Sequence, residues 1–303
     1  MKKVQLEYGQ GLLGAELPDS AEIFVPGETV PDPPALEDPV EATRRSIRNP
    51  IGMPAIGELV RRGSRVTIAF PDRVKGGFQE GSHRRTAIPL LIEECLKAGV
   101  EKKDIRLICS NGLHRKNTPD EIRAMLGDAI CSEFMPAHQI VNHDSEDWDN
   151  LVDLGLDEMG SRVIMNREVF ESDLPILIGH VLGNPYGGYS GGYKMASTGI
   201  THWRTIAASH TPEVMHLPDF TPVSGNSTMR RTFDAIGRHM ERRMGRKFFM
   251  CDAVLDTNMR QIGVYSGWGE EIQPLSWRAA DRRTYVPWAK HKFDIMLFGM
   301  PQA

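Results

Sequence analysis

The sequence has few cysteines, no long apolar run and little net charge, and each absence excludes a class of protein. Its four cysteines lie far apart without a C-x-x-C pair, which argues against a disulfide framework or a structural zinc site and for a reducing compartment. No run approaches the roughly 18 apolar residues of a membrane span, and the N-terminus lacks an apolar signal segment. The net charge of −4 gives no sign of a nucleic-acid or acidic-membrane partner. We therefore expect a soluble cytoplasmic protein.

Three common catalytic signatures are also absent. The sequence contains no H-E-x-x-H, no G-x-S-x-G and no G-x-x-x-x-G-K-[ST], so zinc-protease, α/β-hydrolase and P-loop interpretations lack their motifs. The chain has 303 residues, of which 40% are hydrophobic and 25% are charged. This is an ordinary globular composition with room for one large or two moderate domains.

The order of apolar and amphipathic segments predicts an α/β fold. Residues 65–70 (RVTIAF), 104–110 (DIRLICS) and 174–179 (LPILIG) have the pattern of buried strands. An amphipathic helix is predicted at 86–98, and Thr118 begins another with proline at its first position and a capping-box glutamate. Alternating strands and helices imply a mainly parallel sheet with flanking helices, a Rossmann-like arrangement with a catalytic cleft at the carboxyl ends of the strands.

Weaker patterns predict the remaining elements. Further strands are expected at 4–8, 21–25 and 293–298, a hairpin at 248–255 and 261–265, and helices at 40–47, 55–62, 201–209, 229–244 and 270–283. The basic helix at 229–244 has the composition of a solvated face, and none of these segments is assigned to chemistry.

Each of the three buried strands runs directly into polar residues. A single polar residue after a strand is most often part of a solvated loop, but three such ends together favour a cleft. The residues are Asp72, Arg73 and Lys75 (followed by Gly76 and Gly77) after the first strand, His114 and Arg115 after the second, and His180 after the third.

A glycine-rich stretch follows the third strand. Residues 180–210 contain six glycines, with Lys194 just after Ser190, Gly191 and Gly192. Glycines at this density let backbone N–H groups approach a ligand closely, as in a phosphate cradle. The alternative is a flexible surface loop, but the lysine and histidines around the stretch favour a site.

The residue types restrict the chemistry without fixing it. His114 and His180 could act as a pair of acid/base groups near neutral pH. Lys194 could contact phosphate, form a Schiff base or carry a covalent cofactor, and His210 could bind a metal. Any of these histidines could instead form a hydrogen bond within the core. That role is assigned to His202, His216, His239 and His291, and it is left open for His83 and His143.

These residues together resemble the nickel-pincer lactate racemase family. The string S-G-G-x-K at 190–194, followed by T-I-x-A-x-H ending at His210, carries the resemblance. Gly-x-His-Arg at 112–115, Asn-His-Asp at 142–144, the strand end at Asp72 and residues 49–63 match the same family in the same order. The resemblance covers nearly the whole chain, from about Glu7 onward.

The resemblance implies a racemase or epimerase of a 2-hydroxy acid. Its cofactor would be nickel held by a pyridinium thioamide/thiocarboxylic acid mononucleotide that is attached to Lys194, with His210 as the protein ligand to nickel. His114 and His180 would be the two bases on opposite faces of the substrate, while the α-hydride moves to the cofactor and back. The cofactor-binding residues would be Lys194, Asp72, Arg73, Lys75, Arg115, Ser190, Gly191 and Gly192. Its partners would be the small-molecule substrate and the enzymes that make the cofactor.

The chain departs from the family pattern at three points. Lys75 stands where family members often have arginine, and lysine cannot make the bidentate contact of a guanidinium. The segment from His180 to Lys194 is longer than in the lactate enzyme. Residues 1–286 are expected to form the N-terminal cofactor-binding and catalytic domain, and residues 287–303 the start of a second domain that is cut short.

Two other functions remain open at this point. A non-catalytic phosphate- or nucleotide-binding module would bind ligand without nickel. A metal-dependent hydrolase using the same histidines would bind zinc without a covalent change at Lys194. The substrate and the oligomeric state are also open.

Overall fold

The computed structural model of the chain describes residues 1–75, 81–219, 223–284 and 293–301. Two compact units are present, Met1–Asp32 with Tyr285–Ala303, and Pro33–Thr284. The predicted domain boundary at residue 286 lies outside the described residues, as do Gly76, Gly77 and His291, so that boundary stays a prediction. None of the described helices is long and apolar enough to cross a membrane.

The smaller unit contains a β-hairpin formed by β1 (Lys2–Gly9) and β2 (Gly11–Leu17). Gly9, at φ 59°, permits the tight reversal between β1 and β2. The predicted strand at 21–25 is wrong, since no residue of that segment pairs with a strand. The apolar residues at 23–25 are exposed and have no regular structure. Two short strands, β3 (Pro26–Gly27) and β4 (Val30–Pro31), pair with each other. The predicted strand at 293–298 is also wrong, since only Met300–Pro301 pairs with β1.

The larger unit is built on a six-stranded sheet. The strands of the unit are β5 (Val66–Pro71), β6 (Ile105–Ser110), β7 (Ile140–Asn142), β8 (Leu151–Leu156), β9 (Arg162–Asn166), β10 (Leu174–Val181), β11 (Gly183–Asn184), β12 (Gly188–Tyr189), β13 (Phe249–Leu255) and β14 (Gln261–Gly267). The order in the sheet is β14-β13-β10-β5-β6-β7, and every neighbouring pair is parallel except β13 with β14. This confirms the predicted mainly parallel α/β fold.

Helices surround this sheet. Thr118 and Glu121 form the expected reciprocal capping box at the start of the helix Pro119–Leu126, which confirms that helix start. The helices are α1 (Pro39–Arg48), α2 (Ile56–Leu59), α3 (His83–Lys97), α4 (Pro119–Leu126), α5 (Asp128–Phe134), α6 (Arg167–Glu171), α7 (Tyr193–Gly199), α8 (Trp203–Ala207), α9 (Pro212–Met215), α10 (Thr228–Met244) and α11 (Gly269–Asp281).

Two apolar clusters cover the two faces of the sheet. Along β5, Ile68 and Phe70 belong to the cluster that includes α3, whereas Ala69 belongs to the cluster that includes α7 and α10. Side chains alternate between faces along a strand, so a strand whose residues are all buried must be covered on both sides. With both faces covered, the carboxyl ends of the strands are the natural place for a ligand.

Candidate functional site

A cavity of about 410 Å³ lies at the carboxyl ends of β5, β6 and β10. It is formed by the polar ends of β5 and β6 and by the glycine-rich stretch after β10, which lies far from them in the sequence. Of the candidate site residues, it is lined by Asp72, Lys75, His114, His180, Gly191, Lys194 and His210. Seven of the eleven candidates thus share one cavity.

His114 is oriented by a buried carboxylate. Its Nδ1–H donates to Oδ2 of Asp72 at 2.6 Å, and the Asp72 side chain is only 3% exposed. The backbone of Asp72 is held in turn, because its carbonyl accepts a hydrogen bond from the guanidinium of the buried Arg84. A hydrogen bond from Nδ1 leaves the lone pair of the neutral imidazole on Nε2. His114 is therefore set up to accept a proton at Nε2.

His180 lies within β10 and is almost fully buried. Neither of its ring nitrogens has a hydrogen-bond partner among the described residues. Burial, with the nearby Arg84, His83 and Lys75, lowers the pKa of His180 well below its usual value. The imidazole is therefore neutral at physiological pH and can accept a proton.

Lys194 is the second residue of α7 and its side chain reaches the cavity. Its Nζ donates to Oδ1 of Asn184 at 3.1 Å and to the carbonyl of Tyr186 at 2.9 Å. Neither acceptor is a carboxylate. Burial, with the positive charges of Lys75 and Arg230, lowers the pKa of Lys194 to about 6. Its amine is therefore largely neutral, and so nucleophilic, near pH 7.

His210 follows α8 and faces the same cavity. Its Nδ1 lies 3.2 Å from the carbonyl of Ile206, to which it can donate. A backbone carbonyl bonded to one ring nitrogen is the usual way to fix a metal-binding histidine, because it directs the lone pair of the other nitrogen toward the ligand. The arrangement suits metal binding through Nε2.

The longer segment between His180 and Lys194 forms a small hairpin of β11 and β12. Between these strands, the ring of Tyr186 stacks on the ring of His210, with centroids 5.7 Å apart and planes at 15°. The backbone carbonyl of Tyr186 also holds Lys194. The extra residues therefore contribute to the cavity wall.

Four candidate residues do not line the cavity. Arg73 and Arg115 form ion pairs with Glu121 instead. The hydroxyl of Ser190 donates to the carbonyl of His180 at 2.7 Å. Gly192 lies behind the cavity wall, where its N–H donates to a buried carboxylate.

The structure also brings residues to the site that the sequence analysis missed. Asn111 and Tyr186 line the cavity, and Oδ1 of Asn111 is buried without a partner in the described part of the chain. Behind the cavity wall, Arg230 and Asp252 are buried against the glycine-rich stretch. Asn111 directly precedes Gly112 of the Gly-x-His-Arg motif, so its position at a strand end could have identified it as a site residue. Arg230 and Asp252 lie in segments whose sequence gives no local signal of a site.

Several other histidines have structural roles. His143, His239 and His83 are buried, and Nε2–H of each donates to a backbone carbonyl, those of Thr201, Leu154 and Cys251. His83 also lies beside His180, with ring centroids 5.9 Å apart. The side chain of His202 accepts a hydrogen bond from the N–H of Arg204 at the start of α8.

The buried carboxyl behind the wall predicts a pH-dependent stability. Burial raises the pKa of Asp252 to about 7, whereas an unfolded aspartate titrates near about 3.9. Between these values the folded protein keeps a proton that the unfolded chain releases, so the free energy of unfolding falls by about 1.4 kcal/mol for each pH unit of increase. An Asp252→Asn variant has no carboxyl group at this position, so its free energy of unfolding lacks this fall with rising pH.

Thermal unfolding at about pH 4.5 and about pH 8 checks this expectation. We expect the melting temperature of Asp252→Asn, relative to wild type, to be higher at the upper pH than at the lower. The same difference at both pH values would show that Asp252 is ionised throughout and would contradict the expectation.

Comparison with known proteins identifies the family. Residues 8–219 match the family model of the lactate racemase N-terminal domain. The lactate racemase of Thermoanaerobacterium thermosaccharolyticum is 24% identical over 272 residues, which are 89% of this chain and 60% of that protein. The lactate racemase of Lactiplantibacillus plantarum is 29% identical over 229 residues, which are 75% of this chain and 50% of that protein. The chain thus spans between half and three-fifths of the length of these relatives.

Solved structures share the fold. The lactate racemase apoprotein of Thermoanaerobacterium thermosaccharolyticum superposes with a TM-score of 0.73 at 21% identity, covering 93% of this chain and 63% of that one. A Thermotoga maritima protein superposes with a TM-score of 0.55 at 15% identity, covering 80% of this chain and 58% of that one. The family match extends over more than half of the sequence and includes every residue that lines the cavity. The chain belongs to the lactate racemase N-terminal domain family.

Proposed function

We propose that this chain is the cofactor-binding and catalytic part of a 2-hydroxy-acid racemase or epimerase. The observation that carries the proposal is the single cavity lined by Lys194, His210, His114 and His180. Those are the four residues to which the family resemblance gives the attachment, metal-binding and two base roles. The curated relatives are named lactate racemase, and lactate is one candidate within the proposed substrate class.

The residues present fit a lysine-attached nickel-pincer nucleotide. The neutral amine of Lys194 suits covalent attachment, and Nε2 of His210 suits nickel. Gly179, Gly191 and Gly199 also line the cavity, and a Cβ on any of them would collide with neighbouring protein atoms. When bound, the cofactor would supply a hydride acceptor and donor.

The two histidines would move the hydroxyl proton of the substrate. Inversion through a planar keto acid requires a base on each face, and His114 and His180 reach the cavity from different strand ends. His114 would accept the proton at Nε2, with its imidazolium stabilised by Asp72 at 2.6 Å. His180 is held neutral by burial and would serve as base for the other enantiomer.

Lys75 would bind the substrate carboxylate as a point charge. It lines the cavity beside Asp72, and its charge contributes to the lowered pKa values of both Lys194 and His180. An ammonium fixes a carboxylate less strictly than the bidentate fork of arginine does. We therefore propose a substrate class of 2-hydroxy acids broader than lactate alone.

A zinc hydrolase is supported less well than the racemase. A zinc site made by protein alone needs three or more His, Cys, Asp or Glu ligands. Within residues 1–75, 81–219, 223–284 and 293–301, no such group could hold a metal. A single histidine agrees better with a metal whose other ligands come from a cofactor.

The cysteines and the attachment lysine bear on the cellular setting of the protein. We propose that the protein acts in the cytoplasm, because its four cysteines are buried free thiols. Its partners there would be the enzymes that make the cofactor, since the chain offers an attachment point for a finished group.

Enantiomer analysis in D₂O tests the proposed reaction. The protein, produced together with the cofactor-making enzymes, is incubated with single enantiomers of a panel of 2-hydroxy acids. We expect racemisation of at least one acid without deuterium at the α-carbon, because the α-hydrogen is transferred rather than exchanged with solvent. Deuterium at that carbon would contradict hydride transfer, and a nickel-independent binding protein would invert none of the acids.

His210→Ala should separate nickel binding from covalent attachment. Without the imidazole the metal loses its protein ligand, whereas the amine of Lys194 is unchanged. We expect the mass adduct on Lys194 to persist while nickel content falls at least about tenfold, since even the loss of a residue that only supports a metal ligand costs about 10- to 100-fold in affinity. His216→Ala, on the neighbouring surface turn, is the control. Full nickel content in His210→Ala would assign the ligand role elsewhere.

A further inference from the structure

Three buried polar side chains hold the backbone of the segment that leads to Lys194. This segment, residues 183–193, is called here the lysine loop. The three side chains come from separate elements, Arg230 from α10, Asp252 from β13 and Gln273 from α11. Each is at most 4% exposed.

Arg230 binds the middle of the lysine loop. Its Nε donates to the carbonyl of Gly187 at 2.8 Å, and its Nη2 donates to the carbonyl of Tyr189. Its guanidinium also lies 5.3 Å from the ring centroids of Phe233 and of Trp277. A fully buried guanidinium is costly unless its donors are used. Here two of its N–H groups donate to backbone carbonyls of the lysine loop.

Asp252 and Gln273 bind the end of the loop, where α7 begins. Oδ2 of Asp252 accepts from the N–H of Gly192 at 2.8 Å, and Oε1 of Gln273 accepts from the N–H of Tyr193 at 2.9 Å. The first N–H groups of a helix have no partner within the helix. The start of α7 is therefore fixed by distant elements and not by a local cap.

The glycines of the loop make this packing possible. A Cβ on Gly192 would lie 2.1 Å from Oε1 of Gln273, and a Cβ on Gly191 would lie 2.9 Å from Oδ2 of Asp252. Both glycines also have positive φ. The glycines thus let the buried side chains reach the backbone.

We propose that Arg230, Asp252 and Gln273 form a clamp that positions the amine of Lys194 for covalent attachment of the cofactor. The clamp fixes the start of α7, which carries Lys194, and the loop that supplies both acceptors of its amine, Asn184 and Tyr186. These are positioning residues, and the proposal rests on the proposed function only in taking Lys194 as the attachment point. Correct placement also keeps the amine in its desolvated setting.

Chemical labelling of Lys194 in the cofactor-free protein tests the clamp. The acetylation rate of Lys194 is measured by peptide mapping, relative to the exposed Lys3, at about pH 7 and about pH 10. Dividing the first relative rate by the second removes differences in access, because access affects both pH values alike. The quotient reports the fraction of neutral amine at Lys194.

The variants separate positioning from charge. Arg230→Lys keeps the positive charge but cannot donate to the carbonyls of Gly187 and Tyr189 with the geometry of a guanidinium. Gln273→Leu removes the acceptor of the Tyr193 N–H without any change of charge. We expect the quotient to fall about tenfold in both, as a rise in the pKa of Lys194 from about 6 to about 8 would produce, because the neutral fraction at about pH 7 would drop from about nine-tenths to about one-tenth. Arg246→Lys is the matched control, since Arg246 donates to the carbonyls of Ser172 and Met244 at another part of the unit, and it should keep the wild-type quotient.

A wild-type quotient in folded Arg230→Lys and Gln273→Leu would overturn the clamp, leaving Arg230 as a source of charge alone. An equal fall in Arg246→Lys would also overturn it, because any loosening of the fold would then suffice. If Arg230→Lys does not fold, Gln273→Leu decides the question. Selective labelling of Lys194 in a protein that never acquires a cofactor adduct would contradict the proposed function and leave the clamp standing.

Discussion

Lys194→Ala is expected to contain no nickel and to lack all racemase activity when the variant is produced together with the cofactor-making enzymes. The variant removes the amine on the cavity wall whose pKa is lowered to about 6 by burial and by neighbouring positive charges. Among the described residues, Lys75 is the only other lysine that lines the cavity, and it follows β5 whereas Lys194 lies in α7. Nickel analysis and enantiomer analysis on the same preparation provide the measurement.

Lys97→Ala provides the control for this variant. Lys97 lies in the last turn of α3 and forms surface ion pairs with Glu93 and Glu94, and such exposed pairs contribute little to stability. This variant should keep full nickel content and activity. Activity in Lys194→Ala comparable with that of Lys97→Ala would contradict the attachment role.

His114→Gln and His180→Gln are each expected to lower kcat by about 10²- to 10⁴-fold, the usual contribution of a positioned acid/base group. Each change removes one of the two bases while keeping a polar side chain of similar size. His180 makes no side-chain hydrogen bond within the described residues, so its replacement should leave the fold intact. Steady-state rates in both directions, with the nickel content of each variant, measure the effect.

His239→Gln is the matched control for the two histidines. His239 is also buried, but its Nε2 donates to the carbonyl of Leu154, away from the cavity. We expect this variant to lose stability and to keep kcat. If His114→Gln or His180→Gln changed only the melting temperature, as His239→Gln should, the base assignment would be wrong.

Asp72→Asn should give a smaller loss than either of these variants. An asparagine can still contact Nδ1 of His114, but it no longer stabilises the imidazolium that forms after proton transfer. We expect kcat to fall by less than the about 10²- to 10⁴-fold that the loss of a positioned acid/base group gives, with nickel content unchanged. Racemisation kinetics measured beside His114→Gln test this order, and an Asp72→Asn loss larger than that of His114→Gln would contradict it.

The parallel core of the fold could be predicted because its signals are local. Residues 66–71 are apolar except for Thr67, residues 174–179 are apolar throughout, and the helix from Pro119 carries its own capping box. The β8–β9 hairpin was missed, since its strands alternate irregularly and its pairing shifts register between Asp153 and Leu156. The strand predicted at 21–25 does not form although its residues 23–25 are apolar. An apolar run becomes a strand only where a neighbouring strand can pair with it.

The cavity was predictable only in part. His114, His180 and Lys194 stand at strand ends or inside the glycine-rich stretch, where sequence position alone points to a ligand. Arg230 and Asp252 have no such signal. In sequence, one is part of a basic helix and the other part of an apolar strand, and only the fold shows that both are buried against the lysine loop.

Attachment of the cofactor at Lys194 is measured most directly by the intact mass of the wild-type protein produced with the cofactor-making enzymes, combined with peptide mapping. We expect a mass increase on the peptide that contains Lys194, with one nickel per protein chain. An unmodified Lys194 in protein from cells that make the cofactor would contradict the racemase proposal. A binding function without nickel would then explain the cavity better.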